Sequence, residues 1–308
     1  MNHLSFYWLP DNKDKLIESL ESEFAFLVEQ SIQTGKISLP PIPEVVIKIQ
    51  RLCASEDAGI PDIANCLIDD PSLAAVIIRV ANSVIFNRRN ITCTDLQTAV
   101  SRLGMMRVRD IVTAQAIEQL KHSADLNEDC NKILVDSAVN SRELAATMVM
   151  VTQSIKENAK GHYDYLEEEK SLLVGLLADI GLFCLVNEYH LYLDKGNYLE
   201  HDLVMQILDS RCPETSELVL NSWKFDSDFL EVATNKEIDS NKERPEITYL
   251  DVARMANHLL MFRRKDEDID EHQVEINTTG AEALYEISNL SETEFRSRVS
   301  DVIQASGL

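Results

Sequence analysis

The feature that most constrains this chain is the helical spacing of its apolar residues, which recur three and four positions apart almost from end to end. Glycine and proline, the residues that most often interrupt helices, number only 9 and 8 among 308 residues. Strong strand alternation is absent, and a period of three to four residues is typical of amphipathic helices. The sequence therefore predicts an all-α protein of about a dozen helices.

The composition excludes several classes of protein. With 45% hydrophobic residues the chain can bury a large core, and its 29 basic and 52 acidic residues give a net charge of -23, which repels nucleic-acid phosphates. The first thirty residues lack a basic signal region, and no apolar stretch approaches the roughly 20 residues needed to cross a bilayer. We expect a cytoplasmic protein with reduced cysteines that binds neither nucleic acid nor a membrane.

Several helices can be placed from the apolar pattern. The first is predicted from about Lys13 to Thr34, where Gly35 ends it. The most apolar segment, Ser171 to Val186, is predicted to be one helix buried on nearly all sides. Three shorter helices are predicted after it, at Asp202–Asp209, Glu214–Trp223 and Asp228–Asn235.

Two polar segments interrupt this apolar pattern. The stretch from Ser123 to Asp129 separates the early helices from a long helix and is the predicted junction between two halves of the protein. Near the other end, Ser291 and Glu294 are spaced as a capping box, in which each side chain binds the other residue's backbone N–H. The last helix is therefore predicted to begin there.

One local cluster of basic residues stands out against the acidic background. It consists of Arg102, Arg107 and Arg109, with Arg88 and Arg89 upstream. These side chains could face an anion or an acidic partner, although exposed charge is more often only solvated. The sequence favours solvated helix faces and leaves the alternative open.

Four short motifs follow one another in the first half of the chain. They are Leu39-Pro40-x-Ile42-Pro43, Asp70-Pro71-Ser72-Leu73, Ala81-Asn82-Ser83 and Ala99-x-x-x-Leu103-Gly104. Their order and spacing resemble the HDOD family, whose motifs run LPxLP, DPxL, LxxANS and AIxxLG. Prolines that begin helices, an Asp that caps one and a glycine between two make these motifs architectural. For Asn82 and Ser83 a role in tying down a loop is favoured over a role in binding.

The second half is similar to the HD superfamily, whose histidines and aspartates hold metal ions that activate water for phosphoester hydrolysis. Here Ala178-Asp179 stands where that family has His-Asp. The other ligand positions of the family fall on residues that are not histidine, namely Asp136, Cys212, Asn235, Lys236 and Asn257. A single carboxylate cannot hold a catalytic metal, which normally needs three or more protein ligands. The resemblance implies a vestigial pocket without metal or cofactor, either filled by side chains or open to a small anion near Lys236.

The resemblance also implies a fold, a domain division and a function. The fold would be a multi-helix bundle of the HD-domain or phosphodiesterase-like type with an N-terminal helical subdomain. The domain would span 37–237, with halves at 37–122 and 130–237, between helical extensions at 1–36 and 238–308. The function would be that of a non-catalytic bacterial signal-transduction module.

Such a module would act through protein contacts or through a small ligand in the vestigial pocket. Its partners would be signalling proteins such as a response regulator or a cyclic-dinucleotide enzyme, and its oligomeric state is left open. The alternative is an HD-type metal-dependent phosphohydrolase that acts on a nucleotide or another phosphoester.

Overall fold

The structure is a computed structural model that describes residues 23–37, 42–87, 91–123, 126–238, 245–266, 269, 274 and 276–307. These residues contain fourteen α-helices and no strand, which confirms the all-α prediction. The first half of the chain contains α1 (Glu23–Gln33), α2 (Glu44–Cys53), α3 (Ile60–Ile68), α4 (Pro71–Asn82), α5 (Leu96–Leu103) and α6 (Met105–Ser123). The second half contains α7 (Glu128–Asn158), α8 (Glu168–Leu177), α9 (Gly181–Asp194), α10 (His201–Ser222) and α11 (Ser227–Thr234). The C-terminal extension contains α12 (Tyr249–Arg264), α13 (Thr278–Ser288) and α14 (Glu292–Ser306).

The long helix α7 is the axis of the molecule. The Asn127 side chain caps its start by accepting a hydrogen bond from the Cys130 N–H at 2.9 Å. Its 31 residues extend over about 46 Å. Helices α6, α8 and α9 pack against it, and so do all three helices of the C-terminal extension. The extension therefore shares the hydrophobic core of the central domain, and the predicted domain boundaries stay predictions.

The N-terminal helix α1 docks on the second half of the chain. The Phe24 ring lies 5.4 Å from the Tyr189 ring and 5.3 Å from the Tyr192 ring, both on α9. Glu29 forms an ion pair with Arg211 of α10. Aromatic packing and an ion pair thus hold α1 to the bundle. The part of the predicted first helix that precedes Glu23 lies outside the described residues, and so does Pro40.

The prediction of one buried helix over Ser171–Val186 is wrong. Helix α8 ends at Leu177 and α9 begins at Gly181, with Asp179 in the turn between them. A Cβ on Gly181 would lie 2.3 Å from the Ser216 backbone nitrogen, so only glycine allows α9 to approach α10 this closely. The turn places the Asp179 side chain in the protein interior.

The prediction of two short helices at Asp202–Asp209 and Glu214–Trp223 is also wrong. A single helix, α10, runs through Pro213. A proline inside a helix removes one backbone hydrogen bond. Buried side chains lie on both sides of it, Leu208 before and Val219 after, and their packing keeps the helix continuous.

The segment from Glu168 to Asp194 corrects a further expectation. It is long and apolar enough to cross a membrane by length and composition, and an 18-residue window within it has a mean hydropathy of 1.7. However, 83% of that window is buried inside the protein, where the segment forms α8 and α9. Its apolar character is explained by its place in the core of the second half.

Candidate functional site

A fully buried cluster of charged and hydroxyl side chains surrounds Asp179. The Lys121 Nζ lies 2.9 Å from one carboxylate oxygen of Asp179 and 3.1 Å from the other. The Ser141 hydroxyl donates to the same carboxylate at 2.8 Å, and the Ser137 hydroxyl donates to its second oxygen. Lys121 also donates to the Ser141 Oγ at 3.2 Å. Asp179 is 1% exposed and Lys121 is 2% exposed, so both charges are removed from water.

Three elements bring these side chains together. Asp179 comes from the turn between α8 and α9, while Ser137 and Ser141 lie one helical turn apart on α7. Lys121 comes from the last turn of α6, at a position that continues the buried stripe of Ala114 and Ile117. A lysine on the inner face of an amphipathic helix requires an internal partner, and Asp179 supplies it.

The cluster is fully satisfied within the protein. A lysine ammonium has three donors, and here they reach two carboxylate oxygens and one hydroxyl. The Ser137 hydroxyl donates a further hydrogen bond to the carboxylate, and the single Ser141 hydroxyl proton is shared between Asp179 and the Ser137 carbonyl, both at 2.8 Å. A buried ion pair is tolerated only with such geometry, because removing two charges from water is costly. The Asp179 carboxylate therefore has its charge neutralised by a cation that belongs to the chain.

The donor set around Asp179 does not fit a catalytic metal centre. Ala178 offers no ligand atom, and the Cys212 Sγ lies 4.0 Å from the Asp179 backbone oxygen. Burial raises the pKa of the Cys212 thiol well above its ordinary value, so it stays protonated and is a poor metal ligand. Among the described residues, no group of three or more His, Cys, Asp or Glu side chains could hold a metal ion.

The remaining positions of the predicted pocket are dispersed. Asp136 is partly buried on α7, and its neighbour Ser137 is the residue that binds Asp179. Asn235 adopts a left-handed conformation at the end of α11 and accepts a hydrogen bond from Arg254 Nε at 2.8 Å, and Lys236 beside it is exposed. Asn257 is buried in α12, where its amide contacts the sulfur of Met261.

The structure thus brings together Ala178, Asp179 and Cys212 from the predicted set. It adds Lys121, Ser137 and Ser141, which the sequence prediction missed. The available signal was the helical register, because Lys121 falls four residues after Ile117 on a buried stripe. Register alone names no partner, since the partner lies 58 residues away in the sequence.

The Ala81-Asn82-Ser83 motif ties down the loop after α4. The Asn82 amide donates to the Cys93 carbonyl at 2.7 Å and its oxygen accepts from the Cys93 N–H at 2.8 Å. The Ser83 hydroxyl donates to the Val80 carbonyl at 2.8 Å. Arg102 then donates to the Ala81 carbonyl at 2.8 Å. Each of these bonds joins the motif to backbone, as expected for a loop-tying role.

The other motif residues of the first half also shape the backbone. The Asp70 carboxylate accepts hydrogen bonds from the N–H groups of Ser72 and Leu73, both at 3.0 Å, and Pro71 is the first residue of α4. Gly104 has a φ of +82°, which allows the tight turn from α5 to α6. Two further motif residues are Pro43, immediately before α2, and the buried Leu103.

The arginine cluster does not form an anion-binding surface in the described residues. Arg109 is only 2% exposed, pairs with Asp110, donates to the Lys224 carbonyl at 2.9 Å and stacks over Phe225. Arg107 pairs with Glu167 at 2.6 Å. Both arginines therefore join α6 to the second half, and the expectation of solvated faces is wrong for Arg109. Two members of the cluster lie outside the described residues, Arg88 and Arg89.

Comparison with known proteins places this geometry in context. Residues 39–238 match the HDOD domain family. The fold is similar to that of a Shewanella amazonensis SB2B protein provisionally named a metal-dependent phosphohydrolase, with a TM-score of 0.68, 19% identity, and coverage of 96% of this chain and 99% of that one. An HDOD domain protein of unknown function from Geobacter sulfurreducens gives a TM-score of 0.50 at 17% identity, covering 90% of this chain and 97% of that one.

A curated relative is an uncharacterized protein of Treponema pallidum (strain Nichols), 24% identical over 194 residues. That match covers 59% of this chain, and the chain spans only 35% of the length of that protein. The two solved structures confirm the predicted HD-type helical fold and, at identities this low, show the fold alone.

Proposed function

Because the chain belongs to the HDOD domain family, we propose that it is a non-catalytic regulatory module of bacterial signal transduction. One observation carries the proposal. At the aspartate that matches the metal-binding Asp of the HD pattern, the chain supplies its own cation, the Lys121 ammonium, in contact with both carboxylate oxygens of Asp179.

A lysine ammonium can replace only part of what a metal ion does. It neutralises the Asp179 carboxylate and joins α6, α7 and the turn before α9, as a bound cation would. It cannot coordinate a water molecule and lower the pKa of that water for attack on a phosphoester. The charge compensation that supports the scaffold is therefore kept, while the means of hydrolysis is lost.

A scaffold of this kind acts through its surfaces. We expect its partners to be cytoplasmic signalling proteins, such as a response regulator or a cyclic-dinucleotide enzyme. The vestigial pocket of Asp136, Ala178, Asp179 and Cys212 is a weaker candidate for ligand binding, because Lys121 already occupies the space beside Asp179.

Metal content and hydrolysis test the proposal directly. The full chain, purified without chelator, is analysed for bound metal and assayed on nucleotides and bis-p-nitrophenyl phosphate with added Mn²⁺ or Mg²⁺. Asp179→Asn is compared with Glu188→Gln, a control in which a partly buried carboxylate on α9, outside the ion pair and the predicted pocket, is changed. Circular dichroism verifies that both variants are folded. We expect substoichiometric metal and background hydrolysis in every sample.

The competing function is a metal-dependent phosphohydrolase. Stoichiometric metal, with turnover that is lost in a folded Asp179→Asn variant and kept in Glu188→Gln, would establish it and overturn the regulatory proposal. Affinity capture with the full chain, followed by binding measurements with each purified candidate, identifies the partner. Under the regulatory proposal we expect a response regulator or a cyclic-dinucleotide enzyme to bind in the purified system.

A further inference from the structure

The last helix, α14, ends on a segment more than 200 residues earlier in the chain. The Arg79 Nε donates to the Gly307 carbonyl at 2.7 Å, and the Ile85 N–H donates to the Ala305 carbonyl at 3.4 Å. A Cβ on Gly307 would lie 3.3 Å from the Ser83 Cβ and 3.4 Å from the Val80 Cα, so the end of α14 packs closely on the backbone of α4. The end of α14 therefore lies directly on the Ala81-Asn82-Ser83 motif at the end of α4.

The side chains of this helix end are seated between helices of both halves. Ile303 and Ser306 face Ala114 of α6 and Leu172 and Leu176 of α8 across a cavity of about 20 Å³. A cavity of that size holds about one water molecule. Ala114, Leu172 and Leu176, together with the end of α4, form a groove that α14 almost fills. We call it the α14 groove.

The α14 groove adjoins the buried ion pair. Its polar wall contains Glu118 and Arg142, whose side chains pair at 2.8 Å. Glu118 precedes Lys121 by three positions on α6, and Leu176 precedes Asp179 by three positions at the end of α8. Helix α14 therefore covers the side of the molecule next to the Lys121–Asp179 ion pair.

Helix α14 buries a smaller fraction of its residues than the core helices do. Only three of its 15 residues are buried, Phe295, Val302 and Ser306, whereas seven of the ten residues of α8 are buried. Elements with few buried contacts open locally at lower free energy than the core does. Its first turn is closed by its own Ser291–Glu294 capping box, so departure from the groove leaves that end capped.

We propose that α14 is a releasable latch, which detaches while the remaining bundle stays folded and uncovers the α14 groove for an amphipathic helix of a signalling partner. The groove selects such a partner because it already accepts a helix: apolar floor residues take side chains spaced three or four positions apart, and Arg79 binds a carbonyl just after the helix end. The proposal builds on the regulatory function proposed above.

Amide hydrogen exchange on the full chain tests the latch. The Ile85 amide reports docking directly, because its hydrogen bond is to Ala305 of α14. The opening variant is Gly307→Val, which places a β-branched residue at a φ of +75° and against Ser83. The control is Ser300→Val, the same side chain on the exposed face of α14.

In the wild type we expect Ile85 and the α14 amides to exchange together and faster than the amides of α8. Gly307→Val should raise both rates by about tenfold or more without changing α8, since left-handed strain alone corresponds to about that factor. Ser300→Val should leave Ile85 unchanged. The latch proposal is wrong if the amides of Ile85 and α14 exchange no faster than those of α8. It is also wrong if Gly307→Val leaves the exchange rate of the Ile85 amide unchanged.

A labelled peptide of residues 291–307 then probes the groove from outside. It should bind the Gly307→Val chain at least several-fold more tightly than the wild type or Ser300→Val, whose groove is occupied. Equal binding to all three would refute a groove made available by release. These outcomes are independent of the metal and hydrolysis assays, so failure of the latch and failure of the regulatory function can be told apart.

Discussion

Substitution of Lys121 by methionine removes the internal cation while keeping a side chain of similar length. The Asp179 carboxylate would then be buried with only the hydroxyls of Ser137 and Ser141 as partners. Removing one member of a buried ion pair typically destabilises a protein by about 3–5 kcal/mol. Because two hydroxyl donors remain, we expect the lower end, about 3 kcal/mol, which is a large part of the 5–15 kcal/mol stability of a typical domain.

Urea unfolding followed by far-UV circular dichroism measures this loss. A double variant, Lys121→Met with Asp179→Leu, removes both charges and should recover most of it, since replacement of a whole buried pair by apolar residues is often neutral. Lys48→Met is the matched control, because Lys48 is half exposed and pairs with Glu44 at 3.5 Å on the surface of α2. We expect that control to change stability by less than about 0.5 kcal/mol.

The results that refute this reasoning are specific. A loss in Lys121→Met as small as that in Lys48→Met would show that the ammonium does not stabilise a buried Asp179 carboxylate. A double variant whose destabilisation equals the sum of the two single variants would show that the charges are not energetically coupled. In either case Lys121 could not be considered the internal counterpart of a metal ion.

Three further predictions follow from other sites. Gly181→Ala should destabilise the fold by about 1–3 kcal/mol in urea unfolding, because its Cβ would meet the Ser216 backbone nitrogen at 2.3 Å. Burial raises the pKa of Asp110 from 3.8 to about 6 against the opposing effect of Arg109, so the folded state keeps this proton to higher pH than the unfolded state. The contribution of the protonated Asp110 to stability is therefore present below about pH 4 and is lost as the pH rises through about 6. Asp110→Asn should abolish this pH-dependent loss. The measurement is the urea unfolding midpoint as a function of pH. Burial raises the pKa of the Cys184 thiol to about 12, so iodoacetamide at pH 8 should modify the partly exposed Cys66 first, as peptide mass spectrometry would show.

Local patterns were sufficient for the parts of the fold that depend on neighbours in the sequence. The Asp70 cap and the capping box at Ser291 and Glu294 follow from side chains that bind nearby backbone. Helix α1 ends at Gln33, shortly before Gly35, whose φ of +61° suits a glycine. The pattern failed where packing overrides local preference. Helix α10 continues through Pro213 because both flanks are buried, and the apolar run at Ser171–Val186 is broken because Gly181 must approach Ser216.

The sequence by itself determined that this protein is helical, that it carries HDOD motifs and that alanine precedes Asp179, because periodicity, caps and motifs are read from residues in order. Only the tertiary structure decided what stands beside Asp179 and what covers the groove next to it. Lys121 and α14 reach these places across 58 and more than 200 positions of sequence. A buried lysine and a buried aspartate must pair because neither charge can be solvated by water, and both are buried only once the helices have packed.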